Sequence, residues 1–370
     1  MVHEPQADLV GGPRSAGPAR TPLLSVVLVT KDEDDRVAET VWSVLHQSLA
    51  ELELVAVDRG SLDDTPAILS AAATDPRLRR VDAAGASRGA ARDLGVARSR
   101  GTYVMFADAD GTLPEHACAA AVARARETGA EMVVGGHVMF APRRLTASAA
   151  PAVGRGRAGW NRLVDRAAWH AAGLAFAPTE HADDLLVTLR ADLTLRREVL
   201  DDPVQIRRAR VGRAPAERAA LARDYVTQEL ACLAEVRHRR SPALLTTYLE
   251  GVLVTDLWSQ LPALLEPDAS ADAELDAARE AAVHLVRAAP AAVWRHLPAD
   301  RLRVYTPLRH RRWARAAAVF RPRPRPGTLA GRARARAERT VLAAVGGAEA
   351  LMRGAARTAP PAGRNGGAAS

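Results

Sequence analysis

Between residues 23 and 134 the chain alternates short, unbroken apolar runs with stretches whose apolar residues recur every three or four positions. Leu23 to Val29 (LLSVVLV), Leu52 to Val57 (LELVAV), Tyr103 to Ala107 (YVMFA) and Met132 to Val134 are of the first kind, and Leu78 to Val81 reads as a further short strand. Such runs, rich in β-branched residues, read as strands buried on both faces. Residues 34–48 place Val37, Val41, Val44 and Leu45 on one helical face. Asp63 and Asp64 can cap a helix with Pro66 in its first turn. Residues 87–99 form a helix, and Pro114 opens another that runs to about residue 128. Strands and helices in alternation predict an α/β fold with an open, mostly parallel sheet flanked by helices.

After about residue 215 only helical periodicity remains. Ser241-Pro242 makes a cap followed by a first-turn proline. Leu244, Leu245, Tyr248, Leu249, Val252, Leu253, Leu257 and Leu261 follow as one apolar stripe. A further helix is expected over 272–288. The chain thus divides into a disordered leader (1–21), an α/β domain (22–215), an α-helical region (216–320) and a basic Pro/Ala/Arg-rich tail (321–370).

Charge refines this division. The chain has 370 residues and a formal net charge of +8. Residues 301–370 hold 16 arginines and two acids, whereas the rest carries a net −6. Lys31 is the only lysine. Arginine in such excess reads as a coding bias, so no nucleic-acid partner is expected, and the basic tail suits peripheral contact with an anionic membrane face. Cys118 and Cys232 are far apart in helical patterns and are expected to be reduced, as in a cytoplasmic protein. No apolar run is long enough for a transmembrane helix, and the leader lacks the pattern of a secretory signal.

The chemistry lies in the acids. Asp32 follows the first strand, Asp58 ends the second, Asp108-Ala109-Asp110 ends the fourth, and Asp183-Asp184 sits at a later loop-to-helix junction. Open α/β sheets bind ligands at those strand ends. Carboxylates gathered there repel unless a cation or ligand hydroxyls relieve them. Alternate positions of an extended chain point to opposite sides. One acid of the D-x-D triplet can therefore face a ribose while the other meets a hard cation held on a diphosphate. His181 is a candidate metal ligand from a third side. Each acid also has an ordinary use: Asp58 can close the turn before Gly60-Ser61, and Asp183 or Asp184 can cap the helix LLVTLRADL.

The segments SVVLVTKDEDDRVAETVWSVLHQSL, LELVAVDRGSLDDTP and ASRGAARDLGVARSRGTYVMFADADG, in that order and strand context, resemble the family-two glycosyltransferases of GT-A fold. The later stretch with Asn161-Arg162 and His181-Ala182-Asp183-Asp184 is similar to actinobacterial cell-wall polymer members, where an Asn-Lys pair precedes His-x-Glu-Asp. The resemblance covers about Leu23 to Arg210. It implies an inverting, metal-dependent hexosyltransferase that uses a nucleotide-sugar donor and Mg²⁺ or Mn²⁺. The implied acceptor is a hydroxyl of a cell-envelope glycan, teichoic-acid-like polymer or lipid-linked glycan, at the inner face of the cell membrane.

By the same resemblance Asp32, Asp58, Arg88, Arg92 and Asp108 would bind the nucleotide-sugar. Asp110 would hold the metal, and Asp184, with Asp183 beside it, would be the catalytic base. Four positions depart from the family pattern. Val29 replaces a proline, Arg59 replaces the second Asp of an Asp-Asp-Gly-Ser turn, Gly111 replaces a third acid, and Asp183 replaces a glutamate. These departures leave a second reading, a catalytically inactive GT-A-like scaffold or binding module.

Overall fold

A computed structural model describes residues 21–141, 144–151, 153, 159–208, 214–265 and 273–320. The leader and the tail from 321 lie outside the described residues. Residues up to Ala317 cluster as one compact unit, and Ala318 begins another.

The first part of the chain runs β1 (Leu24–Thr30), α1 (Val37–Leu45), β2 (Leu52–Asp58), α2 (Thr65–Ala72), β3 (Leu78–Asp82), α3 (Arg88–Arg98), β4 (Tyr103–Asp108), β5 (Gly111–Thr112) and α4 (Ala117–Thr128). It continues with β6 (Met132–Ala141), β7 (Arg144–Ser148), β8 (Arg162–Asp165), α5 (Arg166–Ala171), α6 (Leu185–Thr194) and β9 (Arg197–Arg208). Among the described residues the strands form one sheet in the order β3-β2-β1-β4-β8-β6-β9-β5, with β7 paired to β6. The β3-β2-β1-β4 half is parallel. β8 is antiparallel to both of its neighbours, and β9 runs parallel to β6.

The unbroken apolar runs exist because this sheet is covered on both faces. Alternation along a strand sends Leu24, Val26 and Leu28 into one core with Val37, Val41 and Val44 of α1 and Cys118, Ala121 and Val122 of α4. Val27 and Val29 enter the opposite core with Ala91 and Val96 of α3, Trp169 of α5 and Val187 of α6. Both cysteines are buried, and burial pushes the Cys118 thiol up to about 12.

The expected α/β pattern is present, and β9 is the main addition to it. Its sequence, REVLDDPVQIRR, carries a proline and two adjacent acids, which disfavour a strand. The sheet absorbs Pro203 at a register shift opposite Gly135 and Gly136, where a missing N–H costs no regular ladder bond.

The helical part comprises α7 (Pro215–His238), α8 (Pro242–Gly251), α9 (Leu257–Leu264), α10 (Ala273–Ala288), α11 (Ala291–His296), α12 (Ala299–Arg309) and α13 (Trp313–Ala317). The stripe expected over 244–261 buries Tyr248, Leu249, Val252, Leu253, Leu257 and Leu261. A π-helical turn at Val252–Asp256 divides it into α8 and α9. α7 packs against α6, α9 and α10, which ties this region to the α/β part. Among the described residues no helix is long and apolar enough to cross a membrane.

α3 matters most for the site, because it carries two arginines under the strand ends. Ser87 caps it by accepting the amide of Ala90 at 3.3 Å. Gly95 lets it press onto the sheet: a β-carbon there would lie 2.3 Å from Cγ1 of Val27. Alanine is the better helix former by about 1 kcal/mol, yet overpacking against a stiff valine costs about 1–3 kcal/mol. Gly95→Ala is therefore expected to lower the denaturation midpoint. An unchanged or raised midpoint would show that helix and sheet are not in such close contact.

Candidate active site

Parallel pairing gathers the acids at one edge. Thr30 of β1 is in register with Asp58, and Val29 is in register with Asp108, so these two carboxylates flank the end of β1. Just beyond, Asp32 adopts a left-handed backbone (φ 51°), which a short polar side chain tolerates better than most. Its N–H donates to Ser61 Oγ at 3.0 Å, and its carboxylate accepts the amide of Leu62 at 2.8 Å. Asp58 accepts both the amide (3.1 Å) and the hydroxyl (2.7 Å) of Ser61. Asp58 thus does close the Gly60-Ser61 turn, and that turn joins the loops after β1 and β2.

The D-x-D triplet is held by two arginines. Arg92 Nη2 donates to Asp108 Oδ1 at 2.5 Å. Arg207 spans the triplet, with Nη1 on Asp108 Oδ2 at 2.8 Å and Nη2 on Asp110 Oδ1 at 2.6 Å. Burial works to raise the Asp108 carboxyl, but Arg92, Arg207 and Arg88 hold it well below the usual carboxylate range. Arg207 is absent from the sequence-derived set. It sits in a run of arginines that gives no local signal, and only the antiparallel register Gly111↔Arg207 brings it to the triplet. A cleft of about 220 Å³, lined by Thr40, Ala109, Asp110, Gly111, Phe140 and Ile206 among others, opens beside Asp110.

Asp183 and Asp184 have different surroundings. The Asp183 side chain is fully buried and takes Arg88 at 2.9 Å and Arg92 Nη1 at 2.7 Å. Asp184 accepts the amide of Gly159 at 2.9 Å, with Arg92 4.0 Å away. Burial and the neighbouring Asp183 raise the Asp184 carboxyl, against the pull of Arg92, Arg88 and the Gly159 amide. A raised carboxylate is a better proton acceptor than an exposed aspartate near ~3.9. Arg92 is therefore the common partner of the D-x-D strand and the Asp183-Asp184 loop, and it lies over the ring of Phe176, 5.3 Å from its centroid.

That loop is seated on α3. The carbonyl oxygen of Ala177 would lie 1.8 Å from a β-carbon at position 89, so only glycine admits it. The amide of Gly89 donates to the carbonyl of Thr179 at 3.3 Å. Asp93, also on α3, accepts the amide of Phe176 at 3.1 Å.

The remaining candidates lie elsewhere. The N–H of His181 donates to Asp224 Oδ2 at 3.0 Å, which connects the loop to α7. Among the described residues no three His, Cys, Asp or Glu side chains gather as a metal nest, so His181 and Asp110 are not assembled into one. The hard oxygen donors suited to Mg²⁺ or Mn²⁺ are those of Asp108 and Asp110. Arg162 is buried, donating to Asn161 at 2.8 Å and pairing with Asp192 at 3.3 Å. The Asn161-Arg162 pair thus braces β8 against α6.

Carboxylates at the ends of parallel strands, a D-x-D turn and a helix bearing two paired arginines thus meet at one edge of an α/β sheet. Residues 25–162 match the family described as Glycosyl transferase family 2. That segment carries a family-2 glycosyltransferase domain, and the fold is a GT-A-like sheet followed by helices. It is 32% identical over 117 residues to the succinoglycan biosynthesis protein ExoO of Rhizobium meliloti, covering 31% of this chain and 33% of that protein. It is 31% identical over 90 residues to EpsJ, an uncharacterized glycosyltransferase of Bacillus subtilis, covering 24% of this chain and 26% of that protein. The matched stretches thus span about a quarter to a third of those relatives' length. The fold is similar to that of S. aureus TarS 1-349 in its complex with UDP-GlcNAc. The TM-score is 0.60 at 17% identity, over 80% of this chain and 90% of that one.

Asp93 offers a test of the loop packing. Burial and the nearby Asp183 push its carboxyl up to about 6, against the Phe176 amide. Its folded form is easier to protonate than its unfolded form. Its contribution to stability is thus fully present below about pH 4 and is lost as pH rises through about 6. Asp93→Asn, whose amide oxygen can still accept the Phe176 N–H, should be the more stable protein at pH 8 by about 1–2 kcal/mol. The gain should vanish near pH 4. Equal unfolding midpoints at pH 8 would contradict this account.

Proposed function

We propose that the chain is an inverting glycosyltransferase that moves a sugar from a nucleotide-sugar donor to a hydroxyl of a cell-envelope glycan, teichoic-acid-like polymer or lipid-linked acceptor. The observation that carries the reading is the pairing of roles around Arg92. Asp108 of the D-x-D triplet and the raised Asp184 both face one buried cation, Arg92, so leaving-group and base functions are held in one frame. The association of ExoO with succinoglycan biosynthesis and of TarS with UDP-GlcNAc supports the polymer and donor classes.

In this reading Asp58 and Asp32 order the loops that receive the nucleoside. Asp108, fixed by Arg92 and Arg207, faces the ribose or diphosphate. Asp108 and Asp110 would hold Mg²⁺ or Mn²⁺, which supplies positive charge to the leaving diphosphate when bound. Arg207 adds a fixed cation at the same edge. Asp184 takes the proton of the acceptor hydroxyl as its oxygen bonds to the anomeric carbon and the bond to the diphosphate breaks. One displacement with one base inverts the anomeric configuration. Asp183 does not share the base role in this account, because both of its oxygens serve Arg88 and Arg92. The basic tail supports a peripheral contact with the membrane face.

The second reading, a domain that binds nucleotide without transfer, draws on Arg207 occupying both D-x-D carboxylates. Two substitutions separate the readings, after a screen of nucleoside diphosphates and nucleotide sugars with Mn²⁺. Asp184→Asn should keep nucleoside diphosphate binding within about twofold and lose transfer by about 10²–10⁴-fold. Asp110→Asn should lose the Mn²⁺-dependent part of that binding. Normal transfer by Asp184→Asn sinks the base assignment. Nucleotide binding by the wild type with no turnover of any donor favours the second reading.

A further inference from the structure

Arg59, the arginine standing where the family pattern has a second aspartate, is buried, with its side chain only 6% exposed. Three parts of the chain meet at it. Its backbone N–H donates to the carbonyl of Thr30 at 3.0 Å. Its Nε donates to the carbonyl of Ala86, the residue before the cap of α3, at 2.9 Å. Its terminal nitrogens form a fork on the carboxylate of Glu180, with Nη1 2.9 Å from Oε1 and Nη2 on Oε2. Glu180 lies four residues before Asp184.

The Glu180 side chain is 49% exposed. An ion pair open to water on one side contributes little net stability, so burying a guanidinium for it needs another justification. Geometry supplies one, since a planar fork on a carboxylate fixes direction as well as distance. Between Glu180 and Asp183 the backbone of Ala182 is left-handed, with φ 53°. A buried alanine does not hold that conformation by preference. It is held from both sides, by Glu180 on Arg59 and by Asp183 on Arg88 and Arg92.

We propose that Arg59 and Glu180 are positioning residues for Asp184. Their fork pins the 177–184 segment to the nucleoside end of the sheet and holds the turn at Ala182 that aims the base. The departure at position 59 thus exchanges an acid on the nucleotide side for a brace on the base side. The proposal rests on the reading of Asp184 as the base.

The test uses the full chain and Glu180→Ala, which changes a half-exposed residue and spares the buried arginine. Amide exchange should rise about tenfold or more in 177–184 and stay unchanged in 24–30. With the donor found by the screen, kcat should fall about tenfold or more while nucleoside diphosphate affinity is kept, since a small misplacement of a reacting group is costly. Adding Ala182→Gly, which makes the left-handed turn inexpensive, should restore most of the lost kcat. A merely structural role predicts no such rescue.

Exchange and kcat both unchanged in Glu180→Ala would overturn the clamp and leave the base reading standing if Asp184→Asn is inactive. A loss of kcat that Ala182→Gly does not relieve would also overturn it. Normal transfer by Asp184→Asn would remove the base reading, and with it the positioning role, whatever the exchange shows.

Discussion

The site depends on one buried guanidinium. The side chain of Arg92 is 1% exposed and is shared by Asp108 on one side and Asp183 on the other. Burial alone would favour a neutral Arg92, but Asp108, Asp183 and Asp184 together keep its proton even more firmly than usual. Taking a cation so far from water is expensive unless its partners are close and well aligned. That demand couples the end of β4 to the loop before α6, although the two are about 75 residues apart in the chain. Neither piece can shift without leaving a buried charge unpaired.

The same constraint divides the work of the acids. Asp183 is consumed in holding Arg88 and Arg92, so its neighbour is free of that duty. Asp184 receives one backbone amide and sits at the edge of the Arg92 contact, where burial and the adjacent carboxylate raise it. Two adjacent aspartates thereby become a brace and, in the proposed mechanism, a base. At the other end Asp108 is held ionised by three arginines. The separation of a firmly ionised acid from a raised one is the arrangement that acid–base chemistry on one fold requires.

Around this centre the loop that carries Asp183 and Asp184 is specified by backbone proximity as much as by charge. Gly89 admits the carbonyl of Ala177, Asp93 takes the amide of Phe176, and Asp224 takes the amide of His181. The last of these contacts gives the helical part a structural part in the site, because α7 reaches the loop through it. Helices that look like an appendage along the chain therefore share in holding the acids.

The local pattern determined the α/β alternation, the two-faced burial of β1, β2 and β4, and the collection of Asp32, Asp58, Asp108 and Asp110 at strand ends. All of these follow from periodicities of two and 3.6 and from the rule that parallel strands present their ends to ligands. The cap at Ser241 and the apolar stripe after it were legible for the same reason, because caps and stripes are written within a few residues. Tertiary structure alone decided which partners the arginines take. In a chain with 50 arginines, Arg207 carries no local mark of importance, and the resemblance that singled out Arg92 gave no sign of its pairing with Asp108 and Asp183. Arg207 reaches the D-x-D triplet through the register of β5 on β9, in a strand whose proline and acids argued against it. Arg59 faces Glu180 across about 120 residues of sequence. Charge pairing falls off within a few ångströms and depends on direction, so it is settled only when the sheet and its loops have closed.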